Sequence, residues 1–131
     1  MDRRNVIKGM VEVENGNRSL LGEIFSCPQG IEYMKKTGKP SLSVFRALQD
    51  LEEFGIYVEK DADFSKGNAF GLVGDYEWYA ELTNSKLAYK IYLFHNAKIR
   101  IKASKFVVVK IVKMTPDCDC IIDAEKGAVI L

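Results

Sequence analysis

The chain has few of the residues that staple small secreted domains or build metal centres: three cysteines and a single histidine in 131 residues. A small, odd cysteine count excludes a secreted disulfide framework. Long apolar runs are missing too. Stretches such as Phe106 to Val109 fall far below the ~20 residues a helix needs to cross a bilayer. Asp2, Arg3 and Arg4 could imitate the basic start of a signal peptide, but Lys8, Glu12 and Glu14 fall where its apolar stretch would have to lie. The expected compartment is the cytoplasm, with no membrane partner. No glycine-rich phosphate loop, nucleophile elbow or metalloprotease motif is present, so no catalytic residue and no cofactor is assigned.

The third shortage is of one sign of charge in one place. Between Lys86 and Lys113 there is no Asp or Glu, yet the stretch carries Lys86, Lys90, Lys98, Arg100, Lys102, Lys105, Lys110 and Lys113. Carboxylates gather elsewhere, at Glu52 to Asp63, at Asp75, Glu77 and Glu81, and at Asp117 to Glu125. A net charge of +1 therefore conceals a segregated distribution, which says more about partners than the total does.

What is present is an ordinary globular composition, 47 % hydrophobic and 28 % charged. The length suits one domain spanning residues 1–131, with Gly74-Asp75 as the boundary if it divides into 1–74 and 75–131. The front half reads as helical. Leu20, Leu21, Ile24 and Phe25 make one face of a helix over 18–26, which Pro28 ends, and a shorter helix fits 29–36. The clearest pattern runs from Leu42 to Phe54. It has Val44, Ala47, Leu48, Leu51 and Phe54 on one face, Ser41 or Ser43 as N-cap and Gly55 as stop. On that phase, Leu48→Ala should cost about 2–5 kcal/mol. Val11 to Glu14 alternates like a strand, so the first fifteen residues stay open between strand and helix.

From Ile56 onward the period changes to two. Strands are expected at 56–59, 69–73, 76–82, 88–95, 97–103, 105–114, 118–123 and 127–131. No internal repeat is evident. Short loops such as His95-Asn96 and Ala103-Ser104 argue for antiparallel neighbours, since parallel neighbours need long crossovers. The expected fold class is α+β: a helical N-terminal half followed by an antiparallel β-sheet or small barrel.

The segment from Pro40 to Ile56, with its Ser-opened helix, Ala47-Leu48 pair and Leu51-Glu52-Glu53-Phe54-Gly55-Ile56 close, resembles the recognition helix of winged helix-turn-helix DNA-binding proteins. The resemblance covers roughly residues 18–74. It implies preceding helices in 18–36, a β-hairpin wing from Tyr57 to Asp61 and Ala69 to Val73, and nucleic-acid contact by Ser41, Ser43, Arg46 and Gln49. Lys66 lies in the wing loop. A basic sheet adds Lys98, Arg100 and Lys102, which share one strand face, and Lys90 beside Tyr92 and Phe94. Cations with flat rings on a sheet suit single-stranded nucleic acid. The blander reading of the same face is a solvated sheet whose cations answer the chain's own acidic segments.

Cys27, His95, Cys118 and Cys120 complete a Cys3His set in type but not in spacing, so free thiols and no metal are expected. Asp117-x-Asp119 and Asp75-x-Glu77 are carboxylate pairs that could bind a divalent ion as nuclease sites do, although turns also produce such spacings, and a metal-dependent nuclease using Asp117 and Asp119 is the enzymatic alternative. Two non-enzymatic functions stand beside it. The first is a small nucleic-acid-binding regulator acting through helix 42–54 and the basic sheet. The second is a protein-binding module or inhibitor, of viral or mobile-element type, that engages an anionic or otherwise charged protein surface.

Overall fold

A computed structural model describes residues 1–131. The chain divides into two compact units, Met1–Phe54 and Gly55–Leu131.

The first unit is helical: α1 (Arg3–Glu14), α2 (Arg18–Phe25), α3 (Pro28–Thr37), α4 (Leu42–Ala47) and a 3₁₀ turn, Leu51–Phe54. Asp2 opens α1 by accepting the Asn5 amide at 2.8 Å. Val6, Met10 and Val13 form its buried stripe, which settles Arg3–Glu14 as helix. The strand-like alternation at 11–14 is a fragment of that stripe, with Val11 on the exposed side. α2 and α3 meet across glycine. A Cβ on Gly30 would lie 1.9 Å from the Ile24 carbonyl oxygen, so only glycine allows this approach.

The helix expected over 42–54 is broken. α4 stops at Ala47, Leu48 is extended (φ −84°, ψ 146°), and Asp50 is left-handed (φ 55°). Tertiary contacts override a pattern that would satisfy a continuous helix. The Arg18 guanidinium donates to the Glu53 carboxylate at 3.1 Å and to the Asp50 carbonyl at 3.4 Å. It also lies 5.5 Å from the centre of the Phe54 ring, which packs against Gly22. The buried residues are consequently Phe45 and Leu51, while Val44 and Leu48 are half-buried and Ala47 is exposed.

The second unit holds eight strands: β1 (Ile56–Val58), β2 (Ala69–Val73), β3 (Glu77–Leu82), β4 (Ala88–Phe94), β5 (Lys98–Ala103), β6 (Val108–Lys113), β7 (Asp119–Ala124) and β8 (Val129–Ile130). They form a five-stranded sheet in the order β1-β2-β4-β6-β8 and a three-stranded sheet in the order β3-β5-β7. Every pairing is parallel, which overturns the antiparallel sheet or barrel expected from the sequence. The short loops do not join neighbours in one sheet. They turn corners between the two sheets, so from β2 onward each strand pairs with the next but one, and the crossover that a parallel pair requires is the intervening strand itself. β1 and β2 are the exception, joined by the loop at 59–68. This is a solenoid, with Glu77 beside Lys98 and Lys98 beside Asp119 at successive steps of one coil. The wing expected at 57–73 is absent for the same reason, because β1 and β2 run parallel.

Inward residues stack in rows. Trp78, Ile99 and Cys120 form one, Ala80, Ile101 and Ile122 another, and Phe70, Ile91 and Ile111 a third on the facing sheet. They merge into one core. The loop at 59–68 folds over the start of this core. Phe64 meets Phe70 edge-on at 5.0 Å, Trp78 Nε1 donates to the Lys60 carbonyl at 2.7 Å, and the Tyr76 hydroxyl donates to Asp61. The last coil is less covered. Cys120, Ile122 and Ala128 are half-buried, and Val129, Ile130 and Leu131 are exposed.

The broken helix makes Phe45, not Leu48, the buried anchor of this segment. Phe45→Ala should cost about 3–5 kcal/mol, and half-buried Leu48 should fall below the ~2–5 kcal/mol of a fully buried leucine. Urea unfolding of both variants checks this. A larger loss for Leu48→Ala would mean that 42–54 is one continuous helix.

Candidate functional site

The outer face of β3, β5 and β7 presents three rows. The register aligns Glu77, Lys98 and Asp119 in the first, Tyr79, Arg100 and Ile121 in the second, and Glu81, Lys102 and Asp123 in the third. All nine side chains are exposed. Parallel pairing at the ~4.8 Å spacing of neighbouring strands produces this pattern from a simple alternation in each strand. The three cations of the basic strand thus sit between four carboxylates, on strands that the sequence places 21 residues away on either side. At that range the opposite charges offset one another within a screening length of ~10 Å. The middle row differs. Tyr79 and Ile121 are 60 % and 53 % exposed on either side of Arg100.

The other expected contact residues are dispersed. Lys90 is exposed and in register with Lys110, but Phe94 beyond it is buried and Tyr92 half-buried, so the two rings do not form one open stacking face beside Lys90. Burial also raises the Tyr92 phenol above its ordinary pKa. Lys66 sits in the loop over the start of the core, where the Ser65 hydroxyl and amide both donate to Asp63. Those two bonds, led by the hydroxyl, hold the Asp63 carboxyl below its usual pKa, and Lys66 adds to the effect.

In the helical unit, Ser41 caps α4 by accepting the Val44 amide at 3.4 Å and lies 3.1 Å from the Ser43 hydroxyl. Arg46 and Gln49 are exposed, but Gln49 lies beyond the end of α4. Ser43 and Gln49 line a shallow concavity together with Glu14 and Asp50, carboxylates that repel a phosphate. Gln49 does not share α4 with Ser43 and Arg46.

The soft-ligand set is used for other ends. Cys27 Sγ accepts the Gly30 amide at 3.2 Å and caps α3. Cys118 and Cys120 face the core, and burial raises both thiols above the ordinary pKa. His95 occupies the corner after β4 with φ 51°. Its amide donates to Thr115 Oγ1 at 2.8 Å, and the Thr115 hydroxyl donates onward to Asp117. That hydroxyl is the main reason the Asp117 carboxyl is held below its usual pKa. Asp117 is thus a corner clasp, whereas Asp119 faces outward and accepts the Cys120 amide at 2.9 Å. Asp75 and Glu77 part in the same way. Asp75 donates its amide to Glu59 at 3.0 Å, and Glu77 belongs to the outer face. No three His, Cys, Asp or Glu side chains converge as a metal-holding group.

The Tyr79–Arg100–Ile121 row is the feature that the sequence reading missed. Its signal lay in the 21-residue step shared by Glu77 to Leu82, Lys98 to Ala103 and Asp119 to Ala124. Each reads charged, apolar, variable, apolar, charged, apolar. No protein-family model, curated protein or solved structure matches the chain.

Because Lys98 and Lys102 each separate two carboxylates, removing either should leave like charges in one row. Lys98→Gln and Lys102→Gln should each lower stability by roughly 0.2–1 kcal/mol at low ionic strength. Added salt should shrink the loss. Denaturant unfolding in dilute buffer and at high salt reads this out. Unchanged stability in dilute buffer would show that the rows do not couple.

Proposed function

We propose that this protein is a protein-binding module whose contact surface is the outer face of β3, β5 and β7. The observation that carries this reading is the in-register row Tyr79–Arg100–Ile121, with an exposed aromatic and an exposed aliphatic side chain flanking an arginine. Tyrosine and arginine are the residue types that anchor protein interfaces, and a polar rim around them excludes water. The two charged rows on either side supply that rim. Their alternation of acid, base and acid favours a protein surface of complementary pattern over a uniform polyanion.

The nucleic-acid reading is the second function. Its best support is the basic run from Lys86 to Lys113. Four carboxylates interleaved with Lys98, Arg100 and Lys102 weigh against it, since phosphate binding draws its affinity from uncompensated cations.

A photoreactive phenylalanine analogue at position 79 separates the two. In native cell extract it should give a discrete, protease-sensitive adduct that Arg100→Glu abolishes. The same analogue at the exposed position 36 should not give that adduct. A nuclease-sensitive adduct at position 79, or identical products at both positions, would contradict the proposal. In parallel, the Lys98→Gln, Arg100→Gln, Lys102→Gln triple variant should leave the salt slope of any DNA or RNA binding unchanged. A fall in that slope of about 2, the loss of two to three phosphate contacts, would restore the nucleic-acid reading.

A further inference from the structure

β7 ends the three-stranded sheet with no strand on its outer side. Its backbone shows which groups that edge offers. The amides of Asp119 and Glu125 donate inward, to the Ala97 and Ala103 carbonyls at 3.0 and 2.9 Å. Amides alternate sides along a strand, so Cys120, Ile122 and Ala124 turn theirs to the open edge. The Cys120 amide is covered by the carboxylate of Asp119, and no neighbouring strand covers the other two.

The charge pattern says what fits there. Toward β5, Asp119 and Asp123 face Lys98 and Lys102. Toward the open edge the same two carboxylates have no cation in their rows, and Ile121 between them is more than half exposed. A second copy of this chain is a poor occupant. The other edge of the sheet, β3, would set Glu77 and Glu81 against Asp119 and Asp123. Two copies of β7 paired about Ile121 would set Asp119 against Asp123. Like charges directly opposite are destabilising in a sheet.

We infer that the open edge of β7 takes up an extended segment of a partner protein as an added strand, with cations opposite Asp119 and Asp123 and an apolar or arginine side chain opposite Ile121. The partner chemistry is that of this chain's own β5, Lys-Ile-Arg-Ile-Lys. Main-chain hydrogen bonds would give the added strand its affinity, and the alternate cations its selectivity. The inference rests on reading this sheet as a protein-binding surface, and it extends that surface from the face to the edge.

The probe is a fluorescent synthetic peptide with the sequence of residues 97–104, titrated into the full chain. Saturable binding is expected, with amide shift changes centred on 119–124. A peptide carrying Glu at all three cationic positions should bind at least tenfold more weakly. Ala124→Pro removes an outward amide and no inward ladder bond, so it should weaken binding while the melting temperature stays close to the parent's. As a second, milder variant, Asp119→Asn with Asp123→Asn should weaken binding without burdening the backbone. Equal binding of the cationic and acidic peptides, or shifts confined elsewhere, would overturn the inference. So would a dimer of the chain alone, seen by sedimentation, with the 119–124 amides protected. Failure of the peptide while the position 79 adduct persists defeats strand addition and leaves the face reading intact. Loss of both defeats both.

Discussion

The parallel, in-register stacking of coils in residues 55–131 fixes nearly everything else about this unit. Once strand pairs with strand at a constant step, each side chain has as neighbours its counterparts one coil before and one coil after. Apolar positions then form continuous inward ladders, such as Trp78–Ile99–Cys120, that no single coil could bury alone. Outward positions obey the same rule, and charge becomes a property of rows rather than of strands. The basic β5 is tolerable because β3 and β7 are acidic at matching positions. The acidic strands in turn avoid mutual repulsion because β5 lies between them.

That arrangement explains why the strands were legible in the sequence and their pairing was not. Alternation from Glu77 to Leu82 or from Lys98 to Ala103 states correctly that each strand buries one face. The same alternation is the usual mark of an antiparallel sheet with one solvated side. Corner turns at His95-Asn96 and Ala103-Ser104 have the length of hairpin turns, and nothing local distinguishes the two. The distinguishing information was the 21-residue recurrence of the charged-apolar-variable-apolar-charged-apolar pattern, a long-range feature invisible when each segment is read alone. In the helical unit the loss is of another kind. The 42–54 periodicity is real, but Arg18 and Gly22, more than twenty residues away in sequence, hold Asp50 to Phe54 in a tighter turn.

The candidate site was half legible. Lys98, Arg100 and Lys102 do share an exposed face, as alternation requires. Their carboxylate neighbours were visible only as distant acidic clusters, so the face read as an anion surface when it is a striped one. The row Tyr79–Arg100–Ile121 exists only in the assembled sheet. Its members come from three coils, and none stands out within its own strand. A surface whose outer rows alternate acid, base and acid around an aromatic-arginine-aliphatic centre suits recognition of a patterned protein partner.

Everything rests on the parallel register. Backbone amide nuclear Overhauser contacts in isotopically labelled protein test it directly. The account requires contacts linking Trp78 with Ile99 and Ile99 with Cys120, together with Phe70 with Ile91 and Ile91 with Ile111, all running in the same direction. Contacts that instead join residues 88–94 to residues 98–103 in opposing order would show a hairpin. The rows, the compensated charges and the open edge of β7 would then fall together.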